Sequence, residues 1–423
     1  MRDGRPVEQS SVVIVAVVAI CALLFVDVSL PVIGNSSRLL AVLIFPLLLF
    51  GQGGVRTPFC AIMFVLLPLY ILVPVIFLPD VGTFEAGKVL ILQFLSLAGM
   101  VLLARAIASD YQRRKLTDML VLFAIGSATV ATLQRFGVVG PVGRDRWGFS
   151  TTASGELRGA GLLADPNFFA ILLASVVPLI VSWRFTWLRA PALVVVAVGL
   201  YATNSRAGIF LAVAALAFSL VTRASPFGFG NKTKGRKPVV AVAICLLALF
   251  VFNVGGQRDR AVQALLIEAG IQNDLHTEHA VDAFVARERR QLLQSWIDLA
   301  MDHFPGGVGM FTQTEVAKAA HNTFVTLFGQ GGIIGLAIVL TIVACLFCFI
   351  RRRTEPYAIM GAVIVLGGLT LSYPGMVFLL LPMGLADGIL AARLGTRRRP
   401  EPESQPTATQ RDGPANPHLS QRR

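Results

Sequence analysis

Residues 323–353 read TFVTLFGQGGIIGLAIVLTIVACLFCFIRRR. No charged side chain occurs before Arg351, and then three arginines arrive together. A membrane-crossing helix needs about 20 mostly apolar residues, and this run exceeds that length. Lipid offers the backbone no hydrogen-bond partners, so only a helix or a closed barrel satisfies it there. The apolar positions are continuous rather than alternating, which selects the helix. The arginine cluster marks a cytoplasmic end, where Lys and Arg accumulate.

The same pattern recurs along the chain. Apolar runs fall at roughly 11–29, 39–51, 58–78, 88–108, 117–134, 162–183, 190–204, 207–222, 238–254, 323–350, 357–373 and 375–392. The first lacks a small-residue cleavage site and is followed at once by others, so it reads as an anchor rather than a cleaved leader. Of the 423 residues, 55% are hydrophobic and only 14% charged. Soluble domains carry about 25% charge, so lipid must cover much of this surface. The expected fold is all-α, a polytopic transmembrane helical bundle of about 12 spans.

The formal net charge of +13 would point to nucleic acid in a soluble protein. Topology explains it here, and no nucleic-acid partner is expected. With both termini cytoplasmic, inner segments hold about twice as many Lys and Arg as outer ones. Arg113-Arg114-Lys115, Lys232 to Lys237, Arg351-Arg352-Arg353 and Arg397-Arg398-Arg399 all then fall inside. Four stretches follow: spans one to nine in 1–254, a large extracytoplasmic loop in 255–321, spans ten to twelve in 322–394, and a cytoplasmic tail in 395–423. The loop reads as a helical cap. Val262, Leu265, Leu266 and Ala269 keep helical spacing, and a second helix from about Ala280 to Phe304 stops at Pro305-Gly306-Gly307. The tail, rich in Pro, Gln, Arg and Ser, reads as disordered. All five cysteines lie in apolar runs and read as packing residues.

Sorting polar residues by membrane side exposes a pattern. The outer side collects Arg144, Arg146, Arg158, Arg206, Arg258, Arg260, Arg287, Arg289, Arg290 and His321. Arg258 and Arg260 read as solvated charge. The others suit an anion, because the planar guanidinium fork binds phosphate in a bidentate way. Arg206 lies between two apolar spans with no room for a long loop, where an ionisable group is a functional candidate. Arg158-Gly159-Ala160-Gly161 precedes Asp165-Pro166-Asn167, which opens span six. Gly307-Val308-Gly309 precedes His321-Asn322, and Gly331, Gly332 and Gly335 follow. His321 stands where the loop re-enters span ten and can serve an acceptor hydroxyl as acid, base or orienter. Asn322 can hold that ring or cap the helix.

Other chemistries lack their signatures. There is no P-loop and no G-x-G-x-x-G, and no Asp-x-Asp pair for a metal–nucleotide complex. His276 and His279 have ligand-like spacing but read as loop. Intramembrane acidic residues are almost missing, and the candidates Asp27 and Asp387 lie near span ends, which argues against a proton-coupled transporter. A carrier of lipid-linked anions is the rival from another class. It would place polar groups near the midplane, whereas here they gather at one face. A non-catalytic scaffold is a third reading.

Four blocks resemble the O-antigen ligase and polymerase superfamily of bacterial envelope enzymes: Arg158 to Asn167, Asn204-Ser205-Arg206-Ala207-Gly208, Pro305 to Gly309, and His321 to Leu336. They cover roughly residues 155–340. The resemblance implies a GT-C-like membrane glycosyltransferase, working at the outer face of the bacterial cytoplasmic membrane. Its donor would be a glycan on a polyprenyl-pyrophosphate carrier. Its acceptor would be a hydroxyl of a lipid, sugar or protein, with no metal and no cofactor. A repeat-unit polymerase is the alternative within the superfamily. By the same resemblance Arg206, His321 and Arg290 are the expected catalytic residues. Arg158, Arg287 and Arg289 would hold the pyrophosphate, and Arg287 and Arg289 are also alternatives to Arg290. Asn322, Asn167 and Gly309 would give structural support. The chain differs from the family in having Arg287-Glu288-Arg289-Arg290 where Ser-Gly-Arg is common, and Gln330 where a Glu is common.

Overall fold

Proline opens three of the helices described below, at Pro58, Pro166 and Pro356. Its missing N–H and fixed φ suit the first helical turn. The computed structural model describes residues 29–30, 34–35, 58–77, 110–140, 157–163, 165–221, 291–309, 322–351 and 355–369. A two-residue antiparallel ladder pairs β1 (Ser29–Leu30) with β2 (Gly34–Asn35), and the rest of the regular structure described is helical. The helices are α1 (Pro58–Phe77), α2 (Asp110–Arg135), α3 (Pro166–Ser182), α4 (Arg189–Thr203), α5 (Arg206–Val221), α6 (helical over 291–302), α7 (Thr323–Arg351) and α8 (Pro356–Gly367). A 3₁₀ turn, Thr186–Leu188, leads into α4.

These bounds follow the apolar runs closely. Only α8 is much shorter than its expected 357–373. Segments Arg113–Arg135, Thr186–Thr203 and Thr323–Arg351 are long and apolar enough to cross a membrane. The expected spans at 39–51, 88–108, 238–254 and 375–392, and nearly all of 11–29, lie outside the described residues. So does most of the expected cap. The count of about 12 spans and the GT-C-like arrangement therefore remain expectations.

Helix α3 is central. Every residue from Phe169 to Ile180 is buried, with α2, α4, α5 and α8 packed around it. Small residues permit close crossings, the usual solution where lipid is as apolar as the side chains. A Cβ on Gly199 of α4 would overlap Ala128 of α2, and one on Gly208 of α5 would overlap Ala170 of α3. The outward faces are apolar instead of charged. On α1 the exposed residues include Ile62, Val65, Leu69 and Leu72, and on α7 Ile333, Leu336, Leu340, Phe347 and Ile350. Both sets keep helical spacing, so each is a continuous stripe. Water would make such stripes an aggregation hazard, whereas lipid solvates them.

The polar contacts fall at two opposite ends of the bundle. At one, Asp118 near the start of α2 accepts from the Trp183 indole Nε1 (2.9 Å) and Arg184 Nε (3.2 Å) beyond α3, and Arg184 Nη2 lies 2.7 Å from its other oxygen. Tyr357 of α8 joins this end, its hydroxyl 2.7 Å from Thr117 Oγ1. The opposite end carries the residues that the sequence singles out.

Candidate functional site at one end of the bundle

The Arg158 block is built from the last turn of α2. Gln134 is 2% exposed and points its amide at the following loop. Its Oε1 accepts from Ala160 N (3.0 Å) and Gly161 N (2.9 Å), and its Nε2 donates to Gly161 O (2.8 Å) and Gly140 O (3.4 Å). Arg135 Nη1 donates to Leu157 O at 2.8 Å, with its guanidinium 5.9 Å from the centre of the Tyr201 ring. Ser127 Oγ accepts from Leu162 N at 3.2 Å. Gly161 has φ +62, and a Cβ there would overlap Ser127 and Phe169. The glycine thus serves both the backbone conformation and the close approach.

Arg158 lies between these anchors and joins two further helices. Its Nε donates to Thr203 O at the end of α4 (2.8 Å), and its Nη2 to Asn167 Oδ1 in the first turn of α3 (2.7 Å). Gly159 N donates to Ala202 O at 2.9 Å, which extends the contact along the backbone. Asp165 caps α3, its Oδ1 accepting from Asn167 N (2.6 Å) and Phe168 N (3.1 Å). The sequence marks this Pro-containing helix start, and the cap is the physical device behind it.

Arg206 follows immediately. Helix α4 ends on Asn204 in the left-handed region (φ 49, ψ 36), a conformation Asn tolerates better than most residues. One residue later Ser205, buried, accepts from Gly208 N at 3.4 Å and starts α5. Arg206 is the first helical residue and is exposed. The close contact of Gly208 with Ala170 lays this first turn of α5 against α3, one turn from Asn167. The structure therefore bonds Arg158 to Asn167 and to the carbonyl of Thr203, three residues before Arg206.

A second construction lies on α7. Gly332 has φ 54 and ψ −129, which breaks the helix. In an unbroken helix Ile333 N would donate to Gly329 O. Instead Ile333 N donates to Pro305 O (2.9 Å), while Gly329 O accepts from Val308 N (3.0 Å) and Gln330 O from Gly309 N (2.8 Å). The loop after α6 thus supplies the hydrogen bonds that the break removes, as a broken helix in a membrane requires. Glycine is needed on both sides: a Cβ on Gly307 would overlap Gly332 N, and one on Gly332 would overlap Pro305 O. Tyr70 of α1 donates to Gln330 Oε1 at 2.8 Å and packs against Gly331. Trp296 of α6 packs against Gly329 and Val308. Helix α6 ends before Pro305, where the sequence places its stop.

Asn322 caps α7, its Oδ1 accepting from Phe324 N (3.0 Å) and Val325 N (3.2 Å), and its Nδ2 donates to Leu369 O at 3.3 Å. Of the two readings of Asn322, the geometry shows the cap. Thr323 N donates to Gly368 O at 2.8 Å, which ties the start of α7 to the end of α8. Gly309, with φ 77, takes part in the docked loop. His321, Arg287, Arg289 and Arg290 lie outside the described residues. Sequence reasoning missed Gln134, Asp165 as a cap, and Tyr70. Gln134 had one usable signal, an uncharged polar side chain in the last turn of an apolar span before a Gly-rich loop.

No curated protein matches the chain. Residues 191–340, which include Arg206, the docked loop and the broken part of α7, match the family model described as O-Antigen ligase. That match over about a third of the chain supports an O-antigen ligase-related protein, with an O-antigen ligase- or polymerase-like membrane function, a glycosyltransferase-like role, and a lipid-linked glycan and an acceptor as general partners.

Proposed function

We propose that the protein transfers a glycan from a polyprenyl-pyrophosphate carrier to an acceptor hydroxyl, at the outer face of a bacterial cytoplasmic membrane. The observation that carries this reading is the junction made by Arg158. One guanidinium fastens the end of α4 to the start of α3, at the point where Arg206 opens α5. An exposed arginine on so fixed a base is pre-organised for a phosphate group.

In this reading Arg206 and Arg290, with Arg287 and Arg289 as alternatives, hold the pyrophosphate. They stabilise the charge that develops as the bond from the anomeric carbon to phosphate oxygen breaks. The acceptor oxygen forms the new bond to that carbon, His321 takes the hydroxyl proton, and the polyprenyl pyrophosphate departs with the electron pair. Arg158 was expected to bind pyrophosphate. Its Nε and Nη2 bonds to Thr203 and Asn167 give it the prior duty of holding the site together. A polymerase would use the same chemistry with a growing glycan as acceptor.

Transfer by purified protein in liposomes tests this, with polyprenyl-pyrophosphate glycan and acceptors from the native strain and no added metal. Wild type should transfer glycan. Arg206→Ala should lose about 1,000-fold, the size expected for removing one donor to developing charge, and His321→Ala about 100-fold or more, with folding retained. Donor binding without transfer to any native acceptor, or full activity in both variants, would overturn the assignment.

A further inference from the structure

We infer that Gln134 is a positioning residue for this site, acting through Arg158. The inference rests on the proposed function for its consequence, though its geometry stands alone. A primary amide offers two donors and an oxygen with two lone pairs. Gln134 uses all four toward one loop, with Ala160 N and Gly161 N on its oxygen and Gly161 O and Gly140 O on its nitrogen. It does so while 2% exposed, at the end of an otherwise apolar span.

The placement gives this clamp its meaning. Arg135 fixes Leu157 O, and Gln134 fixes the loop at Ala160 and Gly161. Arg158 therefore leaves a backbone held just before it and just after it, and all three bonds come from one turn of α2. From there its guanidinium reaches Thr203 O and Asn167 Oδ1. Thr203 is three residues before Arg206, and Asn167 lies one turn from the Ala170 contact that seats α5. A shift of the loop would move Arg158 and, with it, the base on which Arg206 stands. Small displacements of this kind cost up to about 100-fold in rate, even from groups that never touch substrate.

The experiment compares Gln134→Met, which keeps length and removes all four bonds, with Gln134→Glu. The latter keeps acceptors for the two loop N–H groups and loses the donors. Each is made alone and together with Arg158→Ala. Hydrogen exchange at the 158–163 amides reports the clamp without reference to catalysis, and kcat per folded molecule reports its consequence. Exchange should rise at Ala160 and Gly161 in Gln134→Met and less in Gln134→Glu. The kcat should fall roughly 10- to 100-fold in Gln134→Met, with the acceptor KM unchanged. In the double variant the losses should not add, because Gln134 acts only through Arg158. Unchanged exchange, or fully additive losses, would overturn the inference. Wild type that transfers no glycan would overturn the proposed function instead, with the exchange result still deciding whether the clamp exists.

Discussion

The two ends of α2 and α3 handle arginine in opposite ways. At one end Arg184 meets Asp118, with Nη2 2.7 Å from Oδ2, and Trp183 shares the same carboxylate. At the other, the Nε and Nη2 of Arg158 go to a backbone carbonyl and an amide oxygen. The carboxylate carries a charge opposite to that of the guanidinium it binds, whereas the carbonyl and amide oxygens that accept from the Nε and Nη2 of Arg158 are neutral. The first arrangement ties helices together. The second holds a guanidinium in a defined position, bonded to a carbonyl three residues before the exposed Arg206. Under the proposed function the difference is one of duty: the first end serves stability alone, and the second joins helices while also positioning the group that would meet an anion.

Arg158→Lys challenges that contrast most sharply. A lysine keeps the charge but presents one compact ammonium, which cannot span Thr203 O and Asn167 Oδ1 as the fork does. The kcat for glycan transfer should fall roughly 10- to 100-fold, or about 1.4–2.7 kcal/mol in barrier, with a loss of about 1 kcal/mol in stability for the bonds the fork makes between α3 and α4. Full activity in the lysine variant would mean that charge alone matters and that the fixed geometry is incidental.

Asp118→Asn tests the other end. Asparagine still accepts from Trp183 but no longer balances Arg184. Arg184 is about a third exposed, 37% by side chain, so solvent screens much of the effect. A loss of about 1 kcal/mol in stability is expected, with kcat per folded molecule unchanged. If this substitution slowed transfer as much as Arg158→Lys, the two ends would not be separate in function.

The sequence reveals some of this and hides the rest for physical reasons. Helix extents were legible because lipid demands long apolar runs. The turn at Arg206 was legible because two such runs leave it no other place. The break in α7 was not. Gly331 and Gly332 stand out, but the decisive partners, Pro305, Val308 and Gly309, contribute backbone atoms, which are common to nearly every residue type. Gln134 is hidden for a related reason. Its main partners are backbone groups of a loop more than twenty residues away, so its neighbours in sequence give no sign of where its amide bonds. Asn322 carried two possible duties in sequence, and its bonds to Phe324 N and Val325 N show the cap, while the other duty concerns His321, outside the described residues. His321 and Arg290 lie outside the described residues, and their roles rest on the resemblance alone.

The smallest effect should come from Asp165, which lies at the functional end and does a structural task. Asp165→Ala removes the acceptor for Asn167 N and Phe168 N, so the first turn of α3 loses its cap. Such losses cost about 1 kcal/mol, and Asn or Ser restores most of it. Asn167 also receives Arg158, so a looser first turn should reach catalysis weakly, about two- to threefold in kcat, roughly 0.4–0.7 kcal/mol in barrier. Thermal unfolding and glycan transfer, measured on Asp165→Ala and Asp165→Asn together, separate the two effects. With Asn at 165 both should return close to wild type. If stability returned and activity did not, the carboxylate at 165 would have a part in the reaction beyond capping, and the arginines at this end would be working beside a negative charge rather than on neutral oxygens.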